Sequence, residues 1–273
     1  MNVLNINNFK RILPLLAFIF LLIPVATSSL LDFEQKKADQ LALEKERLQK
    51  EAEQKIYLMG RFDPAERKDF VAVPTAYSIA PYQMYLRKET LNAFIDMAGA
   101  AHKDKINLNI ASATRNFEYQ KNLWNNKWNG VTLVEGKDLS KSIPDGTMRF
   151  EKILEYSAAP GTSRHHFGTD IDINGATPEY FETEKGKKVY EWLTENAPLF
   201  GFCQTYNLKG NSRPTGYNEE KWHWSYLPLA RDLTEQYKNL IKDADIAGFD
   251  GDEYVSSLDL INNYVLSINP DCL

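Results

Sequence analysis

A chain of 273 residues with 43% hydrophobic and 25% charged side chains can bury one sizeable core, and this composition excludes disordered and fibrous classes. The formal net charge of -5 comes from 32 basic and 37 acidic residues. The one dense charge run, residues 34–55, mixes both signs, so no cationic face exists for phosphate backbones and nucleic acid is excluded as a partner.

In chain order, residues 1–30 form a targeting segment: a polar start, Lys10 and Arg11, then an uncharged stretch that runs to Leu31. The apolar residues 12–25 followed by Ala26-Thr27-Ser28 suit a cleavable signal peptide, with no lipoprotein Cys after them. A run of about 20 uncharged residues is also enough to cross a bilayer as a helix. The expectation is an exported protein, periplasmic or in the cell envelope, with the segment either cleaved or kept as an inner-membrane anchor. Residues 31–56 are rich in helix formers, free of Gly and Pro and thin in apolar residues, which predicts a charged helical stalk. The catalytic domain is expected over residues 57–273.

Within it, residues 88–102 place Leu91, Phe94, Ile95 and Met97 at helical spacing, and residues 106–111 alternate as a strand does. Helices are predicted over 119–127 and 150–157, flanking a loop with Gly and Pro. A strand follows over 169–174 (TDIDIN), a helix over 187–197, a strand over 221–226 (KWHWSY), and helices over 229–242 and 254–268. This mixture predicts an α+β fold with a mainly antiparallel sheet flanked by helices. Cys203 and Cys272 are either one disulfide or two unpaired thiols, and neither sits in a Cys-x-x-Cys pair.

Three of the four histidines, His165, His166 and His223, fall in two short segments that also supply acids. Alternation puts Asp170, Asp172 and Asn174 on one face of their strand, with Ile171 and Ile173 in the core. Likewise His223 and Ser225 share a face, and Trp222 and Trp224 pack the domain body. Two imidazoles and one carboxylate leave an open position on a tetrahedral metal, the arrangement of a catalytic site. Glu220 lies three residues before His223, so it reaches the same site only if the chain turns or bulges near Lys221. Spacing does not separate a general base from a ligand there. His166, one residue along, points away from its neighbour and takes a supporting or surface place, and His102 caps a helix end. Asp170 shares the face of Asp172 and is a candidate to orient a ligand imidazole. Phe117 and Tyr119 are either cleft wall or packing.

Ser163-Arg164-His165-His166-Phe167-Gly168-Thr169-Asp170-Ile171-Asp172 fits the pattern Ser-x-His-x-x-Gly-x-x-x-Asp, and Glu220-Lys221-Trp222-His223 fits Glu-x-Trp-His. Together they resemble the VanY-type zinc D-alanyl-D-alanine carboxypeptidases, a peptidase group shared with Hedgehog amino-terminal domains, over residues 57–230. The resemblance implies a Hedgehog/D,D-peptidase-like fold holding one Zn²⁺ on His165, Asp172 and His223, with Glu220 as the base. Residues 112–120 resemble the family's Ser-x-x-Arg stretch. Arg115 then polarises the scissile carbonyl or clamps a terminal carboxylate, and Gln120 and Ser163 bind the peptide. The implied partner is a peptidoglycan stem peptide that loses its terminal D-alanine, in a D,D or an L,D sense. Alternatives are a D,D- or L,D-endopeptidase, a wall-binding module that keeps its zinc, and an envelope scaffold built on the stalk. The long segment between Gln120 and Ser163 and the stalk depart from the family pattern and leave substrate choice open, as is the oligomeric state.

Overall fold

The computed structural model describes residues 13–273, with side chains from Asp32 onward. The leader or anchor expected over residues 1–30 lies outside the described side chains. No helix among the described residues is long and apolar enough to cross a membrane. The chain divides into two compact units, Met1–Glu53 and Gln54–Leu273.

The first unit holds most of α1 (Leu13–Leu58), whose residues 32–50 are exposed all round. Ion pairs one turn apart decorate it, such as Lys50 with Glu46 at 2.7 Å and Arg47 with Glu44 at 2.7 Å. Such exposed, salt-screened pairs add little to helix stability.

In the second unit, the last turn of α1 enters the core. Tyr57 and Leu58 are buried, and the Tyr57 hydroxyl donates to the Phe167 carbonyl at 2.7 Å. A two-stranded ribbon, β1 (Phe70–Ala72) and β2 (Tyr85–Arg87), leads into α2 (Lys88–Lys103), whose Leu91, Phe94, Met97 and Ala101 are buried. Next come β3 (Ile110–Ser112), α3 (Phe117–Trp128), the short α4 (Leu139–Ser142) and α5 (Gly146–Leu154). Asn116 caps α3 by accepting from the Tyr119 amide at 2.8 Å, and Asp145 caps α5 through the Met148 amide at 2.8 Å. The chain continues through β4 (Asp170–Ile173), α6 (Pro178–Glu182), α7 (Glu184–Asn196), β5 (Phe202–Gln204), β6 (His223–Tyr226), α8 (Leu227–Leu240) and α9 (Val255–Leu258). The fold is α+β, with antiparallel sheets flanked by helices.

The main sheet has the order β3-β4-β6-β5, every pair antiparallel. The central pairing sets Asp170 opposite Ser225, Ile171 opposite Trp224 and Asp172 opposite His223. Because side chains alternate, Ile171, Ile173 and Trp224 enter one core cluster with Phe94, Phe181 and Leu193. The other face of the same strands carries Asp170, Asp172, His223 and Ser225. A second core cluster includes Phe117, Trp124, Phe150 and Tyr237.

Two expectations need correction. The strand predicted over 106–111 is confined to Ile110–Ser112, because Lys105 turns at φ 63° and pairing begins only where Ile110 meets Ile173. The helix predicted over 254–268 is broken: α9 stops at Asp259, which adopts φ 46°, and one wider turn over Ile261–Val265 follows. The chain thereby returns to the sheet, where Asn269 bonds through its amide to Thr205 O at 2.8 Å and Cys272 joins Cys203. That disulfide settles the choice left open above, with Cα atoms 5.7 Å apart at a sequence separation of 69. Closing so long a loop restricts the unfolded chain, so Cys272→Ser is expected to destabilise the domain by up to about 4 kcal/mol. Urea midpoints of variant and wild type check this. An unchanged midpoint would mean the bridge contributes nothing.

Candidate metal centre

The turn Arg164–Phe167 runs straight into β4, and Gly168 makes the join with φ 75°. A side chain there would not fit, since a Cβ would stand 2.4 Å from Phe70 Cε1. The join throws His165 inward. Its Nδ1 faces the Ala113 carbonyl at 2.8 Å, which keeps the proton on that nitrogen and leaves the Nε2 lone pair free. On β6, His223 Nε2 donates to Asp170 Oδ1 at 3.0 Å, which turns Nδ1 toward Asp172 and Glu220. Asp172 sits between, its Oδ1 at 3.3 Å from His165 Nε2 and 3.5 Å from His223 Nδ1.

One ligand atom from each of His165, Asp172 and His223 therefore falls within 4.8 Å of the others. All three residues are buried, and His165 Nε2 and Asp172 Oδ1 have no hydrogen-bond partner. Buried lone pairs aimed at one point without a donor are unfavourable unless a cation joins them. The donor set, two imidazole nitrogens and one carboxylate oxygen, fits a divalent metal of the zinc type with positions left over.

Glu220 reaches the cluster because the chain turns at Lys221 and Trp222, with the His223 amide bonded back to Glu220 O at 3.3 Å. Its Oε2 lies 3.2 Å from His223 Nδ1. Burial pushes the Glu220 carboxyl above its ordinary range. Burial works the same way on Asp172, but the two imidazoles and Arg115 hold it down at about 2. Burial lowers His165 and keeps it neutral. For His223 burial opposes the cation, yet Asp170, Glu220 and Asp172 carry it up to about 9. These carboxylates make the Nδ1 edge of His223 a place that attracts positive charge.

Beneath the cluster lies a buried ion pair. Arg164 Nε donates to Asp170 Oδ1 at 3.1 Å, and its other nitrogens donate to Thr234 Oγ1 at 2.8 Å and Ser225 Oγ at 3.0 Å. Thr169 and Ser225 hydroxyls add bonds to Asp170 Oδ2 at 2.7 and 3.0 Å. Asp170 is thus fully satisfied and fixes the His223 ring, the supporting place the alternation suggested. Tyr206 stacks edge-on against His223 with centroids 4.8 Å apart.

Above the cluster is a cleft whose lining includes Arg115, Gln120, Ser163, Lys127 and Tyr156. Arg115 Nη1 bonds to Ser112 Oγ at 3.1 Å and stands 3.6 Å from Asp172 Oδ2, directly beside the cluster. Gln120 donates to the Ala158 carbonyl at 2.7 Å and leaves Oε1 unpartnered. Ser163 is buried at the cleft wall. His166 is not on the surface: it is fully buried, with Nδ1 donating to Arg115 O at 2.6 Å and Nε2 accepting from the Gly161 amide at 3.1 Å. It props the backbone of Arg115 from behind. His102 is exposed at the end of α2. Trp222 and Trp224 are buried, and Trp222 also reaches the cleft. Phe117 is packed in the core while Tyr119 is 40% exposed.

Arg164, Tyr206, Lys127 and Tyr156 were not anticipated. Arg164 lies inside a motif as an unspecified position, so its neighbours offered a signal. The others come from distant segments, with nothing local to mark them.

A sequence model of the family described as VanY, D-alanyl-D-alanine carboxypeptidase, matches residues 83–229, more than half of the chain. A D-alanyl-D-alanine carboxypeptidase of Enterococcus faecalis is 31% identical over 134 residues, which is 49% of this chain and 45% of that protein. The chain therefore spans about half the length of that curated relative. Solved structures that align with it include the LD-carboxypeptidase LdcB, 24% identical over 64% of this chain and 75% of that one, at a TM-score of 0.45. A mutant of the D,D-pentapeptidase VanY from a VanB-type vancomycin resistance cassette, in complex with Zn(II), is 24% identical over 67% and 93%, at a TM-score of 0.44.

Proposed function

From the premise that this chain belongs to the VanY family of D-alanyl-D-alanine carboxypeptidases, we propose that it is a zinc peptidase that removes the terminal D-alanine from peptidoglycan stem peptides. The observation that carries this reading is the convergence of His165, Asp172 and His223 ligand atoms within 4.8 Å, with the Glu220 carboxylate beside them.

In this reading His165 Nε2, Asp172 Oδ1 and His223 Nδ1 hold the metal, and Asp170 keeps His223 in the tautomer that leaves Nδ1 free. A zinc ion held by these residues would supply Lewis acidity toward an amide oxygen and would ease deprotonation of water near neutral pH. Glu220 takes the proton of the attacking water at its carboxylate and delivers it to the leaving amine. A carboxyl whose proton affinity is raised by burial suits both halves of that transfer. Arg115, beside the ligands, places a fixed positive charge where negative charge grows on the carbonyl oxygen. Gln120 and Ser163 take the peptide. Residues 57–273 act as the catalytic domain and residues 31–56 as its stalk, exported to the periplasm or cell envelope. Residues 1–30 serve as the export signal, cleaved or retained.

Purified muropeptides incubated with the protein and read by mass spectrometry test the proposal. Loss of one alanine from pentapeptide or tetrapeptide stems is expected. Cleavage of cross-linked dimers would reassign it as an endopeptidase, and no product from fully metallated protein would remove the peptidase reading. Stripping the metal with a chelator is expected to bring the rate to background, and one equivalent of zinc to restore it. Activity that survives a verified loss of metal would rule out the metal-assisted route.

A further inference from the structure

One face of α3 borders the cleft: Gln120, Leu123 and Lys127, spaced three and four residues apart, all line it. The Lys127 ammonium donates to the Ser157 hydroxyl, a neutral partner from the loop after α5. Among the described residues no carboxylate forms an ion pair with it. Burial lowers its pKa, and Arg115 and Glu220 are near enough to act on it with opposite signs. Half-buried at the cleft wall and without a counter-ion, this ammonium is placed to meet an anion that arrives from outside.

Arg115 is placed at the metal centre instead. Its Nη1 is engaged by Ser112 Oγ at 3.1 Å and stands 3.6 Å from Asp172 Oδ2, against the ligand cluster. Glu220 and Asp172 are the anions of the cleft, and both are occupied with the metal centre. The remaining acceptor on the α3 face, Gln120 Oε1, is unpartnered and suits a peptide N–H rather than an anion. Besides Arg164, which is paired with Asp170, the cleft offers two positive points with separate places, Arg115 at the metal cluster and Lys127 on the helix that walls it.

Resting on the peptidase reading, we propose that Lys127, supported by Ser157, is the specificity-determining receptor for a carboxylate of the peptide substrate. An ammonium with rotatable donors takes a terminal α-carboxylate or an acidic side chain further up the peptide through the same charge-assisted bonds.

The test uses the full, zinc-loaded chain carrying Glu220→Gln, which prevents turnover, with calorimetric affinities for three N-acetylated peptides. One ends in D-alanyl-D-alanine with a free carboxylate and has one internal glutamate. The second is its C-terminal amide, and the third replaces the glutamate by glutamine. Adding Lys127→Met is expected to weaken the first peptide by about 10- to 100-fold and to abolish discrimination against one of the other two. Which one identifies the carboxylate that is read. Lys127→Arg is expected to keep both affinity and discrimination. The proposal is overturned if Lys127→Met leaves all three affinities within about twofold of the parent, or lowers all three equally. Hydrolysis is measured separately on protein with Glu220 intact: its absence would defeat the peptidase reading while the binding series still decides the role of Lys127.

Discussion

Glu220→Gln is expected to slow release of alanine by about 10²- to 10⁴-fold while one zinc ion per chain stays bound. The amide keeps the size of the side chain and its place in the turn, where the Glu220 amide bonds to Tyr206 O at 2.9 Å. What it loses is the proton acceptor 3.2 Å from His223 Nδ1. None of the three proposed ligands is touched, so zinc content measured by atomic absorption separates a base from a ligand. A variant that is slow and zinc-free would make Glu220 part of the metal site. A variant that is fast and zinc-loaded would leave the reaction without its base, and the mechanism above would fall.

Removing the guanidinium beneath the metal centre is expected to be the most destabilising single change in the domain. In Arg164→Leu, Asp170 would stay fully buried without its guanidinium partner, and breaking one side of such a pair costs about 3–5 kcal/mol. For a domain of this size that lowers the melting temperature by on the order of 10 °C. The released Asp170 also holds His223 less firmly, so zinc affinity is expected to fall by about 10- to 100-fold. Thermal melts of metal-free and metal-loaded protein check both. A melting temperature within a degree or two of wild type would mean that Thr169, Ser225 and His223 satisfy Asp170 without Arg164.

Arg164 also shows where reading the chain runs out. Its position inside the Ser163 to Asp172 motif is visible, but its partners, Ser225 and Thr234, lie on β6 and α8. Nothing local distinguishes a buried arginine from an exposed one. His166 is a second case. Adjacency to His165 placed it outside the cluster, yet its burial and its bond to Arg115 O depend on α3 and the preceding loop coming together. The break at Asp259 is a third: helix-forming composition over 254–268 yields to the disulfide and to the bonds of Asn269, which draw the chain onto β5.

Residue order alone determined which side chains face which way. The alternation within residues 170–173 and 223–226 is a property of the extended backbone, and it put Asp170, Asp172 and His223 on one side wherever those strands would pair, whereas Asn174, expected on the same face, leaves the strand at φ 59° and Lys221 and Trp222 form a turn. The turn before His223 followed from the same count. Tertiary structure alone decided the register that sets Asp172 opposite His223, the bonds that free Nε2 on one ring and Nδ1 on the other, and the arrival of Lys127 at the cleft. Facing is governed by a period of two residues within one strand. Meeting is governed by long-range packing, because the free energy that selects one register is gained only when both faces of the sheet are covered.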